Sequence, residues 1–224
     1  MANASTTGFG LRAVMNVGNT PATSGQSEYL IQTAPGVATN KGDPMSFNDG
    51  GATAGEAGMV QDASFTLTDD GGAGGTSWTT ATSALLLGVF NGAFYISANG
   101  KPTFANNIVA GQTTSTDYNT GSNDITAFII DNPLQEYVVK ADAALAQTLV
   151  GVNPAQPFNT NNYTATDNKD GQSITTLDVG SAATTSMFLA VRLANDPENK
   201  DLTVAGSNWV VVTSPASSLW NSTN

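Results

Sequence analysis

The chain has 224 residues, with 7 Lys plus Arg against 18 Asp plus Glu, a formal net charge of −11, and neither cysteine nor histidine. Without cysteine there is no disulfide and no thiolate metal site, and without histidine the commonest general base and metal ligand are gone. Ser-His-Asp and Cys-His sites, the usual zinc hydrolases and haem held by either residue are thereby excluded.

Residues 1–24 are small and polar around Phe9, Leu11, Val14, Met15 and Val17, too few apolar side chains for a core of their own. They read as an extended N-terminal arm, either docked on a partner or disordered, with Phe9 and Leu11 as apolar anchors and Arg12 as a charged one. The opening has no charged segment followed by an apolar one, so no secretory signal is read there. No apolar run approaches the roughly 20 residues that span a bilayer, and a product made in the cytoplasm and staying soluble is expected.

The folded part is expected over 25–213, followed by a polar tail over 214–224 in which Leu219 and Trp220 stand out. Glu28-Tyr29-Leu30-Ile31 is a short strand closed by Pro35-Gly36, and the turn Lys41-Gly42-Asp43-Pro44 leads into the alternating Met45-Ser46-Phe47. Residues 59–67, with Ala63, Phe65 and Leu67 at every second position, are the clearest period-2 stretch of the first half. Asp69 to Thr76, DDGGAGGT, reads as an exposed loop tip. In 85–104, LLLGVFNGAFYISANGKPTF, Asn91-Gly92 reads as a hairpin turn, with one strand kinked at the glycine as the rival; Asn99-Gly100 is a second turn, and Pro102 places the residues after it at an edge.

Ile125 to Lys140, ITAFIIDNPLQEYVVK, reads as two strands around a corner at Asn132-Pro133, because proline fixes its φ, lacks an N–H and bars its predecessor from helical space. Helical spacing of Ala141, Ala144, Leu145, Thr148 and Leu149 predicts one short helix over 141–150, stopped by Gly151. Residues 153–172 read as a long surface loop, and strands resume at 173–179, 186–193 and 208–213. The fold expected is all-β: an antiparallel barrel or sandwich of about eight to ten short strands with long polar loops. The low charged fraction, 11% against roughly 25% in ordinary domains, and the wealth of Thr, Asn, Ser and Gly agree with it.

Motifs for chemistry are few. Gly100-Lys101 is followed by Pro102 and has Tyr95 where a phosphate loop needs glycine; Gly71, Gly72, Gly74 and Gly75 lack the strand-to-helix setting of a dinucleotide fingerprint. Asp167 with Asp170, and Asp69 with Asp70, offer hard oxygens for calcium but not the spacing of an EF-hand, and turn formation accounts for them. Asp131 with Glu136, and Asp196 with Glu198, are the carboxylate pairs a glycosidase would need; both fall in corners or turns. No catalytic residue, cofactor or metal is therefore expected, and the acidic balance without a basic run argues against nucleic acid and, with no apolar span, membrane as partners.

The opening MANASTTGFGLRAV, Gln26-Ser27-Glu28-Tyr29, Gly88 to Tyr95 (GVFNGAFY), Lys101-Pro102-Thr103-Phe104 and Ala127 to Pro133 (AFIIDNP) resemble recurring segments of virion structural proteins of marine and other environmental tailed phages. The resemblance implies a β-rich, non-enzymatic head cement or decoration protein on the virion exterior. Its partners would be the major capsid protein and copies of itself in a symmetric homo-oligomer, a trimer by expectation. Many weak contacts repeated by symmetry would then give durable attachment. Phe9, Leu11, Arg12 and Trp220 are the candidate partner contacts. A tail or fibre component binding a host receptor or glycan is the alternative, and a carboxylate polysaccharide hydrolase the third reading.

Overall fold

The computed structural model describes residues 8–18, 20–21, 25–31, 38–47, 59–62, 68–69, 78–79, 86–109, 125–141, 158–159, 173, 176–177, 188–195 and 209–213. Among these the strands are β1 (Arg12–Asn16), β2 (Thr20–Pro21), β3 (Ser27–Leu30), β4 (Thr39–Asn40), β5 (Pro44–Phe47), β6 (Val60–Asp62), β7 (Thr68–Asp69), β8 (Trp78–Thr79), β9 (Leu86–Ile96), β10 (Pro102–Ala105), β11 (Asn107–Ile108), β12 (Thr126–Ile130), β13 (Gln135–Lys140), β14 (Phe158–Asn159), β15 (Thr176–Leu177), β16 (Leu189–Leu193) and β17 (Trp209–Thr213). Among the described residues the fold is all-β, as the composition predicts, and every strand pair is antiparallel.

One sheet runs β3-β12-β9-β5-β6, with β10 continuing beside the second half of β9. It curls until its edges meet: Ile31, directly after β3, forms a bridge with Val60 of β6. Met45, Val60, Leu87, Phe90, Ala93, Ala127 and Ile129 fill the space it encloses. The other sheet runs β16-β17-β13-β1-β2 and lies on the outside of this near-barrel. Leu86, Val89 and Ile130 from the barrel meet Tyr137, Val139, Ala190, Val210 and Val212 from the second sheet in a shared core. Each of the Leu, Ile and Val side chains among them contributes roughly 1.5–3 kcal/mol on leaving water.

β9 explains why its sequence is a continuous apolar run and not an alternation: it has a core on both faces. It is one strand of 11 residues, so Asn91-Gly92 is not the hairpin turn expected of it. The β9–β12 register passes from Phe128 opposite Gly92 to Ile129 opposite Phe90, which leaves Asn91 as an extra, bulged residue. Gly92 takes the positive φ of 147° that the bulge requires. Asn99-Gly100 does turn the chain: Gly100 N donates to Ser97 O (2.8 Å) and Ser97 N to Lys101 O (2.9 Å), joining β9 to β10.

The central pair of strands is divided between the two sheets. β12 belongs to the barrel and β13 to the second sheet, so Asn132-Pro133 hands the chain from one layer to the other. Gln135 N donates to Asn132 O (3.0 Å), Leu134 N to Asn132 Oδ1 (3.0 Å), and the buried Tyr137 hydroxyl back to Ile130 O (3.0 Å). A proline turn, an Asx turn and one phenol thus fix the crossing.

The N-terminal arm needs correction. Its described part is folded into the second sheet, where β1 pairs with β13 and β2. Phe9 and Leu11 are 7% and 3% exposed, because the residues leading into β1, itself held between β13 and β2, find a core within their own chain. The expected helix lies outside the described residues except for Ala141, which bridges Leu177. The period-2 stretch is described only as far as β6; of the loop expected over 69–76 only Asp69 is described, as the end of β7, and the loop expected over 153–172 contains β14, paired with β15, its other residues lying outside the described ones.

Candidate functional site

Two exposed surfaces stand out. The first is the corner where β1 meets the Asn132-Pro133 turn. Between Ala13 and Met15 the pairing with β13 shifts, so Val14 is the bulged residue and is pushed outward. Val17 N donates to Leu134 O (2.7 Å), and Asn132 Nδ2 donates to Asn16 Oδ1 (3.2 Å), locking the two segments side by side. Val14, Val17 and Leu134 remain 39%, 47% and 49% exposed, three apolar side chains in one neighbourhood.

The second surface is the outer wall of the barrel. Strand alternation sends Ala127 and Ile129 inward and Phe128 outward, and the pairing of Phe104 with Phe94 aligns those two rings on the same wall. Phe104 is 75% exposed; its ring centre lies 4.9 Å from that of Phe94 and 6.3 Å, nearly parallel, from that of Phe128. Gly92, opposite Phe128, leaves a notch in the wall, and Gln26, Asn91 and Asn106 rim it with carboxamides. Asn91 Nδ2 donates to Gln26 Oε1 at 2.7 Å.

Of the expected contact residues, Phe9 and Leu11 are core and not surface anchors. Phe9 packs edge-on against Trp209, with ring centres 5.1 Å apart, so its aromatic contact is already used inside the chain. Arg12 is exposed, its guanidinium 4.5 Å from the centre of the Phe9 ring. Trp220 lies outside the described residues. The expectation missed Val14, Val17 and Leu134, and it missed the Phe104 wall. A period-2 reading of Thr126 to Ile130 does signal the latter, since it puts Phe128 on the wet face between two inward residues.

The carboxylates are engaged structurally. Glu136 accepts from Arg192 Nη2 at 2.6 Å and Nη1 at 3.0 Å, a two-pronged pair with the carboxylate buried. Asp131 accepts from the Tyr29 hydroxyl at 2.7 Å. Burial, then the Asp131 bond, push the Tyr29 phenol up to about 12, so it is a donor throughout the neutral range. Burial, then the Asp131 charge, raise Tyr137 as well, and burial lowers Lys140. Asp70, Asp167, Asp170, Asp196 and Glu198 lie outside the described residues, as does the side chain of Asp69. Among the described residues no group of three or more Asp or Glu is placed to hold a metal ion.

Comparison with protein-family models, with curated proteins and with solved structures finds no match for this chain.

Proposed function

We propose that this chain is a virion structural protein of a tailed phage, a head cement or decoration protein that binds the outside of the major capsid lattice and works without a catalytic centre. One observation carries this reading. The segments that resemble phage virion proteins, scattered over the first 133 residues, come together as the adjacent strands β3, β12, β9 and β10, with β1 beside the corner that β12 leads into. The likeness is thus to a spatial unit, and that unit ends at the exposed apolar corner of Val14, Val17 and Leu134. Small apolar patches of this kind suit a contact made many times over by symmetry, each weak alone.

The corner replaces Phe9 and Leu11 as the surface that meets the shell or a neighbouring copy. Purified wild-type protein is expected to co-sediment with phage heads lacking it, whereas the Val17→Asp/Leu134→Asp variant is expected to lose about a hundredfold in affinity while keeping its circular dichroism spectrum. Full retention of binding by that variant would remove the corner from the interface. Failure of the wild type to bind any head preparation would remove the proposal.

A tail or fibre component that binds a host receptor or glycan is the second reading. The observation that favours it is the exposed Phe104 wall, which the corner contact leaves open.

A further inference from the structure

The barrel wall adjoins a second cavity, and the two share a residue. Where β1 passes over β9, a cleft of about 380 Å³ is lined by Leu11, Arg12, Lys41, Val89, Asn91 and Ile130, among others. The notch at Gly92, about 290 Å³, is lined by Gln26, Asn91, Phe104, Asn106 and Phe128. The bulged Asn91 borders both, so the cleft and the notch lie end to end along the outer face of β9.

The cleft is rigidly built. Leu11 N donates to Gly42 O (2.9 Å), Gly42 N to Phe90 O (2.9 Å), Phe90 N to Asp43 O (2.8 Å), Lys41 N to Asn106 O (2.8 Å) and Ser173 N to Lys41 O (3.0 Å). The Lys41-Gly42-Asp43 turn is thereby tied to β9, to the N-terminal strand and to the start of β11. Gly10 makes the approach possible, since a Cβ there would meet Ser173 Oγ at 2.7 Å and Gly42 O at 2.8 Å. The result is that Arg12 and Lys41 flank one cleft, two of only 7 basic residues in a chain of net charge −11.

We infer that this composite groove binds a carboxylated saccharide, with its sugar ring in the aromatic notch and its carboxylate at Arg12. Each part of the groove matches one part of such a ligand. The apolar C–H face of a pyranose ring stacks on a phenyl face such as Phe104 or Phe128. Its hydroxyls need groups that both donate and accept, which Gln26, Asn91 and Asn106 supply. Its carboxylate needs a guanidinium or ammonium held in place, and the Phe9 ring holds Arg12. Glu28 lies across Phe128 from the notch, beyond the stacking ring, so an anion is not asked to sit beside it at Gly92. A neutral sugar would leave the cationic cleft unused, and an inorganic anion would leave the rings unused. The inference concerns the chain itself and does not rest on its place in the virion.

The test uses the full purified chain and three defined probes: tetragalacturonate, tetramannuronate and 3′-sialyllactose, each against its methyl ester, measured by calorimetry at low salt. At least one acid is expected to bind about tenfold or more tightly than its ester, an advantage that added salt reduces. Arg12→Gln is expected to bring the acid down to the level of the ester, and Phe104→Ala to weaken acid and ester alike by about tenfold. Both residues are exposed, so neither change threatens the fold, and circular dichroism checks this. The inference is overturned if none of the three acids binds at millimolar concentration, if acid and ester bind equally, or if binding survives both substitutions.

Discussion

Gly88→Ala is expected to lower the stability of the folded chain by about 3 kcal/mol, at the upper end of the usual cost of overpacking. Gly88 lies in β9 opposite Met45, one residue beyond the bulge at Leu87, where the backbone that leaves β12 crosses close by. An added Cβ would press on Ile130 O, and would stand 2.7 Å from Ile129 Cγ2 and 2.9 Å from Asp131 Cα. Two of these are backbone atoms of the segment that carries the chain between the sheets, so relief requires moving the corner itself. Gly100→Ala is the control: φ is 76° there but nothing lies within 4 Å of the new Cβ. Its cost should be only about 1–2 kcal/mol, the ordinary penalty of a left-handed alanine. Urea unfolding measures both. Equal effects would mean that β9 and the corner are not packed as described.

Arg192→Met is expected to cost about 2 kcal/mol, and Arg192→Met combined with Glu136→Met much less than the sum of the single changes. The Glu136 side chain is only 4% exposed beside the Arg192 guanidinium, while Arg192 is 38% exposed. Removing the arginine strands a buried carboxylate, which usually costs 3–5 kcal/mol; the figure is discounted here because water reaches the arginine side of the pair. Replacing both partners removes the stranded charge and adds apolar contact. A double-mutant cycle from denaturant midpoints reads the coupling directly. Additive effects would show that the pair does not join β13 to β16 across β17.

How far the sequence reveals this molecule depends on which force acts at each place. The all-β class follows from composition, and the corner at Asn132-Pro133 from proline geometry, because both are local causes. What local rules cannot supply is pairing. Asn91-Gly92 carries the standard signal of a two-residue turn, yet β9 runs straight through it, because Phe90, Ala93, Ala127 and Ile129 gain more by filling one interior together than a hairpin would give. For the same reason Phe9 and Leu11, which look like anchors for a partner in a polar stretch, are covered by their own chain once β13 and β17 come near. The candidate surfaces are hidden differently. Val17 and Leu134 are 117 residues apart in the chain and become one patch only through the Val17–Leu134 hydrogen bond. Arg12 and Lys41 likewise share a cleft only because Gly10 lets two backbones approach.

The role proposed for the chain is that of a repeated fastener on the virion surface. Its most direct test is the number of copies per virion, counted by quantitative mass spectrometry of purified particles against the major capsid protein. A ratio near one copy per capsid subunit, or a simple fraction set by the lattice symmetry, is the predicted result. A handful of copies per particle, or absence from the particle, would contradict it.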